Sequence, residues 1–199
     1  GTIRAYIVSG TNTPLASGTL TKSAGTGDTT IAFSSSAAVS GNPFWIGGQL
    51  NFSSYLSNNG FPTPDWVFIA LGINDVFGQT SDASASSLAD ARFLQLDSLI
   101  TSIHSANSGI KIGIVLPTPP TSSQDAFGNN YTTGQTRWRN KRNVLVWGRQ
   151  LIAKYKDKEA QNIYVVPSNV ALDTVNNYDR STAAPVNSRN STVTISRQN

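Results

Sequence analysis

The sequence predicts an α/β fold, in which a small β-rich N-terminal excursion precedes a doubly wound parallel sheet. Two observations lead to this fold class. From residue 65 onward, short apolar runs suited to buried strands alternate with segments of helical periodicity. Helical crossovers of this length join parallel strands, and helices on both faces bury such a sheet. The first forty residues instead hold short β-rich segments between clusters of Gly, Asn, Ser and Thr.

The chain of 199 residues is long enough for one ordinary domain. Residues 1–41 are predicted to form a β-hairpin-rich excursion or insertion, and residues 42–199 the α/β domain. The predicted strands of the excursion are Arg4–Ser9, Gly18–Lys22 and Thr29–Phe33. A short helix is predicted at Phe52–Asn58, and Gly60 would terminate it.

The region after residue 65 supplies three predicted strands and two long helices. The continuous apolar run Trp66–Leu71 predicts a strand buried on both faces. A helix is predicted from Ser86 to Ser105, with one buried stripe of apolar residues at spacings of three and four. The later predicted elements are a strand at Lys111–Leu116, a basic helix at 136–158 and a strand at Asn162–Val166. The tail beyond Asp173 is rich in Asn, Ser and Thr and is predicted to be mostly loop.

The composition excludes several kinds of chemistry. The chain has no cysteine and one histidine, so it offers no disulfide, thiolate metal site or cysteine nucleophile, and no multi-histidine metal site. No apolar run approaches the roughly 20 residues of a membrane span. We therefore expect no metal, no organic cofactor and no membrane partner. Charged residues make up only 13% of the chain, and Ser, Thr and Asn supply its polarity, which favours an extracellular or virion-associated location.

The net charge of +4 is unevenly placed along the chain. One short stretch holds a set of basic residues: Arg137, Arg139, Lys141, Arg142, Arg149, Lys154, Lys156 and Lys158. This stretch is either the solvated face of one helix or a patch that attracts an acidic polymer such as a polysaccharide or nucleic acid. No nucleic-acid-binding motif accompanies it, so nucleic acid is not expected as a partner.

Two strand ends carry the candidate site, since ligands of open parallel sheets bind beyond the carboxyl ends of the strands. After the first strand, Gly72 allows a tight turn and Ile73 leads to Asn74, whose amide would be free to donate. After the second strand, Pro117 and Thr118 begin a stiff loop suited to form a wall of the same crevice. Gly72, Ile73, Pro117 and Thr118 are therefore candidate substrate contacts beside the Asn74 amide.

These residues resemble a known family. Gly72-Ile73-Asn74-Asp75 is similar to the G-x-N-D block of the SGNH (GDSL-like) hydrolases, and Pro117-Thr118-Pro119 resembles the loop those enzymes place beside the substrate. Asn42-Pro43-Phe44-Trp45, the run from Gly48 to Tyr55 and the stretch 173–178 resemble a phage and bacterial branch of the family. The resemblance covers roughly residues 42–199 and implies the flavodoxin-like SGNH fold.

The resemblance implies a role for Asn74. In this family a serine near the start of the domain attacks an ester carbonyl, and a late histidine in a D-x-x-H block is its base. The block asparagine donates to the negative intermediate, so Asn74 is expected in the oxyanion hole, where one donor is worth about 3–4 kcal/mol of barrier. Asp75 is expected to be structural.

The serine and histidine blocks are not present in this chain. No G-D-S precedes Asn74 and no D-x-x-H follows it. Gly27-Asp28-Thr29 is interpreted as a turn before a strand, and His104 as a polar group in the last turn of a helix. We therefore expect the chain to begin and end within the domain. A domain of this kind should expose a hydrophobic sheet edge or face.

The leading functional hypothesis is a serine ester hydrolase that deacylates, in particular deacetylates, a carbohydrate. Its partner would be a small acyl ester or an acylated polysaccharide. The alternative is a catalytically incomplete SGNH-like module that binds carbohydrate or has a structural role in a phage tail or cell-surface assembly. A nucleotide-binding protein is disfavoured, since neither G-x-G-x-x-G nor a P-loop occurs. The sequence leaves the oligomeric state open.

The four tryptophans divide into two pairs. Trp45 and Trp138, flanked by polar or basic residues, are candidates for stacking on sugar rings, and Trp45 is a candidate substrate contact. Trp66 and Trp147 are predicted to lie in the core.

Overall fold

The computed structural model describes residues 20–22, 29–31, 44–130, 135–176, 180–183 and 193–196. The contacts within the chain divide it into two compact units, Gly1–Pro62 and Thr63–Asn199. In the first unit, β1 (Leu20–Lys22) and β2 (Thr29–Ile31) pair antiparallel, with Leu20 opposite Ile31. They confirm two of the predicted strands, and Arg4–Ser9 lies outside the described residues.

A second, smaller hairpin follows in the first unit. β3 (Trp45–Ile46) pairs antiparallel with β4 (Gln49–Leu50) across a two-residue turn. Gly47 and Gly48 occupy the turn with φ of +65° and +80°. Such turns need positive φ at both central positions, which glycine adopts without strain.

The helix α1 (Phe52–Asn58) confirms the predicted helix in this region. It begins at Asn51, whose side-chain oxygen accepts the Ser54 N–H at 2.9 Å, satisfying one free donor of the first turn. Its apolar side lies in an aromatic cluster of Phe44, Phe52, Tyr55 and Phe61. The first unit therefore has a small aromatic core of its own.

The second unit is built on a three-stranded parallel sheet in the order β5-β6-β7. Its strands are β5 (Trp66–Ile69), β6 (Lys111–Val115) and β7 (Ile163–Val166). Ile69 lies opposite Ile114, which in turn lies opposite Val165. The α/β class predicted from the sequence is therefore confirmed, with each strand close to its predicted place.

Two long helices connect the strands. α3 (Asp82–Ala106) joins β5 to β6, and α5 (Arg137–Tyr155) lies between β6 and β7. α3 begins four residues before its predicted start, because Ser81 and Ser84 cap each other's backbone N–H groups. Its buried residues include the predicted stripe of Phe93, Leu96, Ile100 and Ile103. Both predicted helices are confirmed.

The helices α3 and α5 pack against each other, so they cover the same face of the sheet. Consecutive parallel strands with right-handed crossovers place both connecting helices on one side. The isoleucines that point to this face are buried: Ile69, Ile112, Ile114 and Ile163. The hydrophobic core of the second unit lies between this face and the two helices.

The opposite face of the sheet exposes aromatic side chains. Trp66 is 40% exposed and Phe68 is 61% exposed, and their rings are nearly parallel with centroids 5.5 Å apart. Tyr164 lies 5.2 Å from the Trp66 ring. The predictions that this strand is buried on both faces and that Trp66 lies in the core are therefore wrong, since both crossover helices cover the other side.

Several short elements complete the second unit. They are α2 (Ile73–Phe77), α4 (Gln124–Asn130), a 3-10 turn (Glu159–Gln161), α6 (Ser168–Ala171), β8 (Arg180–Ala183) and β9 (Val193–Ser196). The last two strands pair antiparallel, so the tail predicted to be mostly loop contains a hairpin. None of the described helices is both long and apolar enough to cross a membrane.

Candidate functional site

The carboxyl edge of the sheet brings together the loops predicted to carry the site. Because Ile69 pairs with Ile114, β5 and β6 end side by side. Asn74 follows the first of these ends, and Pro117 and Thr118 follow the second. Adjacent carboxyl ends of parallel strands are where open sheets bind ligands. The predicted placement of these three residues at one edge is therefore observed.

Gly72 makes the turn between β5 and α2. Its φ is +105°, in the left-handed region that favours glycine. It is buried, and a Cβ built on it would lie 2.1 Å from Cζ2 of Trp147. Trp147 is itself buried against Phe93, so its predicted core position is confirmed. Two independent constraints, the backbone conformation and the indole ring, thus require glycine before Ile73.

Asn74 is the second residue of α2, and its side chain is exposed. Among the described residues it has no hydrogen-bond partner, so its amide is free to donate to a ligand. Ile73 beside it is half-buried. The neighbouring Asp75 accepts a hydrogen bond at 2.8 Å from Nε of Arg92 on α3. Asp75 therefore ties α2 to α3, as its structural interpretation predicts.

Asn143 on α5 holds the other end of α2. Its Nδ2 donates to the carbonyl oxygens of Val76 at 2.8 Å and Gln79 at 2.7 Å. Its Oδ1 accepts from Nε of Arg139 at 2.8 Å. Carbonyls at a helix end need such partners when they are buried. Asn143 was not predicted from the sequence, although an asparagine beside Val144, on the apolar side of a helix, suggests a buried hydrogen-bonding role.

The loop after β6 is anchored at its start. The Leu116 N–H donates to the Val166 carbonyl at 3.0 Å, and Oγ of Ser168 donates to the Leu116 carbonyl. Pro117 and Thr118 are half-buried, and the loop continues into buried Pro120 and Thr121. Backbone and side-chain bonds to the β7 end thus fix the loop that would form the crevice wall.

The remaining candidate residues belong to other elements. Trp45 is exposed on the β3–β4 hairpin of the first unit. Nε2 of His104 lies 3.1 Å from the carbonyl oxygen of Ile110, just before β6 begins. His104 is therefore bound at the amino edge of the sheet, whereas Asn74 lies at the carboxyl edge. Gly27 and Asp28 lie outside the described residues, and Thr29 begins β2.

A polar cluster joins the C-terminal end of α5 to α3. Asp97 accepts hydrogen bonds from the Tyr155 hydroxyl at 2.9 Å and from Nζ of Lys154 at 2.6 Å. These side chains border a depression of about 410 Å³. Burial, and then the bond to Asp97, raise the pKa of Tyr155 well above its usual range. Tyr155 therefore remains a neutral donor that joins the two helices.

The described residues form no cluster of three or more His, Cys, Asp or Glu side chains that could hold a metal. Fold and site together define an α/β protein whose parallel sheet presents, at its carboxyl edge, an amide donor with no partner in the described part of the chain. No protein-family model, curated protein or solved structure matches the chain. Its function is thus inferred from its own residues and from the G-x-N-D resemblance.

Proposed function

We propose that this chain supplies the oxyanion-binding part of an SGNH-type serine ester hydrolase with a doubly wound, flavodoxin-like fold. The substrate would be an acylated, in particular acetylated, carbohydrate, met at an extracellular or virion-associated location. The observation that carries the proposal is the exposed Asn74 amide. It lies at the carboxyl edge of the sheet, has no partner among the described residues, and follows a glycine turn that the structure requires.

The proposed chemistry begins with attack of a serine on the ester carbonyl, which places negative charge on the carbonyl oxygen. A histidine takes the serine proton and later returns it to the leaving alcohol. Segments outside this sequence would supply both residues. The Asn74 amide donates to the oxyanion, and its position on a short helix held at both ends keeps it oriented. Preorganised donors stabilise the transition state because little reorientation is needed during the reaction.

The decisive variant is Asn74→Ala, in protein that includes the serine and histidine segments. With 4-nitrophenyl acetate as substrate, we expect kcat to fall by about 100-fold to 1000-fold, as for the loss of one oxyanion donor. Asn58→Ala is the matched control, since Asn58 is an exposed asparagine in the first unit. A decrease smaller than about tenfold in a folded Asn74 variant would rule out the oxyanion role.

A second candidate function is a non-catalytic module that binds carbohydrate or has a structural role in a surface assembly. Its support is the lack of G-D-S and D-x-x-H in the 199 residues, together with the exposed rings of Trp45 and Trp138. Intact mass after treatment with a fluorophosphonate separates the two functions. A covalent adduct on the protein that carries the additional segments supports the hydrolase, and no adduct on that protein supports the module.

A further inference from the structure

The outer face of α5 combines solvent-exposed apolar and basic side chains. Trp138 is 64% exposed, Leu145 52% and Ile152 41%, and they recur at intervals of seven residues. Lys141, Arg149 and Lys156 lie among them on the same face. Together these six exposed residues form what we call the basic track: Trp138, Lys141, Leu145, Arg149, Ile152 and Lys156.

The three cations of the basic track have no ion-pair partner among the described residues. Three other basic residues of α5 are neutralised: Arg139 and Arg142 pair with Asp82, and Lys154 pairs with Asp97. The track itself contains no carboxylate. Its unbalanced positive charge raises the local concentration of anions, so an anionic partner fits it and a neutral one does not.

The spacing of the cations selects among anionic polymers. With a helical rise of about 1.5 Å per residue, Lys141 and Arg149 are about 12 Å apart along the axis, and Arg149 and Lys156 about 10 Å. Phosphates of one strand of duplex DNA recur every ~3.4 Å of helix axis, which is denser. A polysaccharide with one acidic sugar in each short repeat has carboxylates that are spaced more widely. The apolar faces of the intervening sugar rings can then lie on Leu145 and Ile152.

Trp138 adds a ring on which a sugar can stack. The Arg137 guanidinium lies over the indole, 3.8 Å from its centroid, and steadies it. A lipid surface fits less well, because Arg149 and Lys156 lie within the apolar stripe rather than beside it. An interfacial helix instead separates an apolar face from a polar one.

The basic track leads towards the candidate site. The first turns of α5 pack against α2, where Asn143 binds the Val76 carbonyl at 2.8 Å. α2 also carries Asn74. The Trp138 end of the track is therefore at the carboxyl-edge side of the second unit. The Lys156 end lies towards the amino edge, where the chain continues into β7.

We propose that the basic track binds an anionic polysaccharide that extends along α5 with one end near Asn74. This proposal depends on the proposed function in one respect: it takes the bound glycan to be the acylated substrate of the hydrolase. Binding along the track requires no turnover.

The test is binding of hyaluronan, which carries a carboxylate on every second sugar, to the full chain in 50 mM NaCl, by affinity electrophoresis or calorimetry, with dextran as the neutral glycan. We expect binding to hyaluronan and none to dextran, and loss of binding in 500 mM NaCl, because salt screens exposed charges. Arg149→Glu should weaken binding about fivefold or more, since it replaces an attraction by a repulsion. Trp138→Ala should weaken it about threefold to tenfold through the lost ring contact.

Lys111→Glu is the matched control, because Lys111 is an exposed cation on β6 and the change in net charge is identical. It should bind hyaluronan as the unmodified chain does. Equal weakening by Lys111→Glu and Arg149→Glu would overturn the track in favour of net charge alone. Tighter binding of single-stranded DNA, or of phosphatidylglycerol vesicles, than of hyaluronan would also overturn it. Binding that persists in Asn74→Ala while hydrolysis is absent in every form would refute the proposed function and leave the track intact.

Discussion

Gly72 and Trp147 show how one residue position controls the candidate site. The indole ring fills the space that a side chain at position 72 would need, and the backbone there has a positive φ. The turn that presents Asn74 is thus built into the core of the second unit. A change at Gly72 should act on stability and on the site together.

At the residue scale we predict that Gly72→Ala lowers the free energy of unfolding by about 2–4 kcal/mol. The cost combines a left-handed backbone at a non-glycine residue with overpacking against Trp147. Urea unfolding measures the change. Gly78→Ala is the control, because Gly78 has a φ of −79° and no atom within 4 Å of a built Cβ. A Gly72→Ala protein as stable as the control would contradict the close approach of the ring.

At the scale of elements, charges at the start of α3 link this helix to α5. Asp82 accepts from Arg139 and from Arg142, which lie one turn apart on α5. These hydrogen bonds, that of Arg142 being the stronger cause, lower the pKa of Asp82 from 3.8 to about 2. The contact therefore depends on an ionised carboxylate.

At the element scale we predict that Asp82 contributes to the acid sensitivity of the protein. Its folded pKa lies below its unfolded value, so its stabilisation is present above pH 3.8 and is lost as the pH falls towards about 2. The melting temperature should accordingly fall less steeply over this range in Asp82→Asn than in the unmodified chain. Asp90→Asn, at an exposed position of the same helix, should keep the steep fall. Parallel curves for all three proteins would show that Asp82 makes no contribution.

The sheet of the second unit is asymmetric at the scale of the whole molecule. One face is buried under α3 and α5, and the other presents Trp66 and Phe68. Contiguous exposed apolar surface of this kind binds apolar dyes and promotes self-association. The Phe68 ring also lies over Gly113, where a Cβ would come within 2.5 Å of it.

At this scale we predict that Phe68→Thr reduces both the fluorescence of bound anilinonaphthalene sulfonate and self-association in sedimentation velocity. The substitution keeps a β-branched residue in the strand while it removes most of the exposed ring. Leu94→Thr is the comparison, because Leu94 is an exposed apolar residue on α3 away from this face. Equal dye binding by the two variants would show that the aromatic face is not the principal apolar surface.

Much of the secondary structure was predictable from local patterns. The strands β5, β6 and β7 follow from apolar runs, and α3 and α5 from apolar residues at intervals of three and four. The common edge for Asn74 and Thr118 was also predictable, because parallel strands joined by helical crossovers end on the same side. The contact of Gly72 with Trp147 was not, since 75 positions separate these residues along the chain and no local pattern links them.

The sequence by itself determined the α/β class, the order of the main elements and the glycine turn that leads to Asn74, because periodicity and turn chemistry are local properties. Only the tertiary structure decided which sheet face is covered, that Asn143 holds the α2 carbonyls, and that 180–183 pairs with 193–196. It also decided which α5 cations lack an acidic partner among the described residues. These features depend on which distant segments meet, and burial and pairing across the chain are not encoded in any one segment.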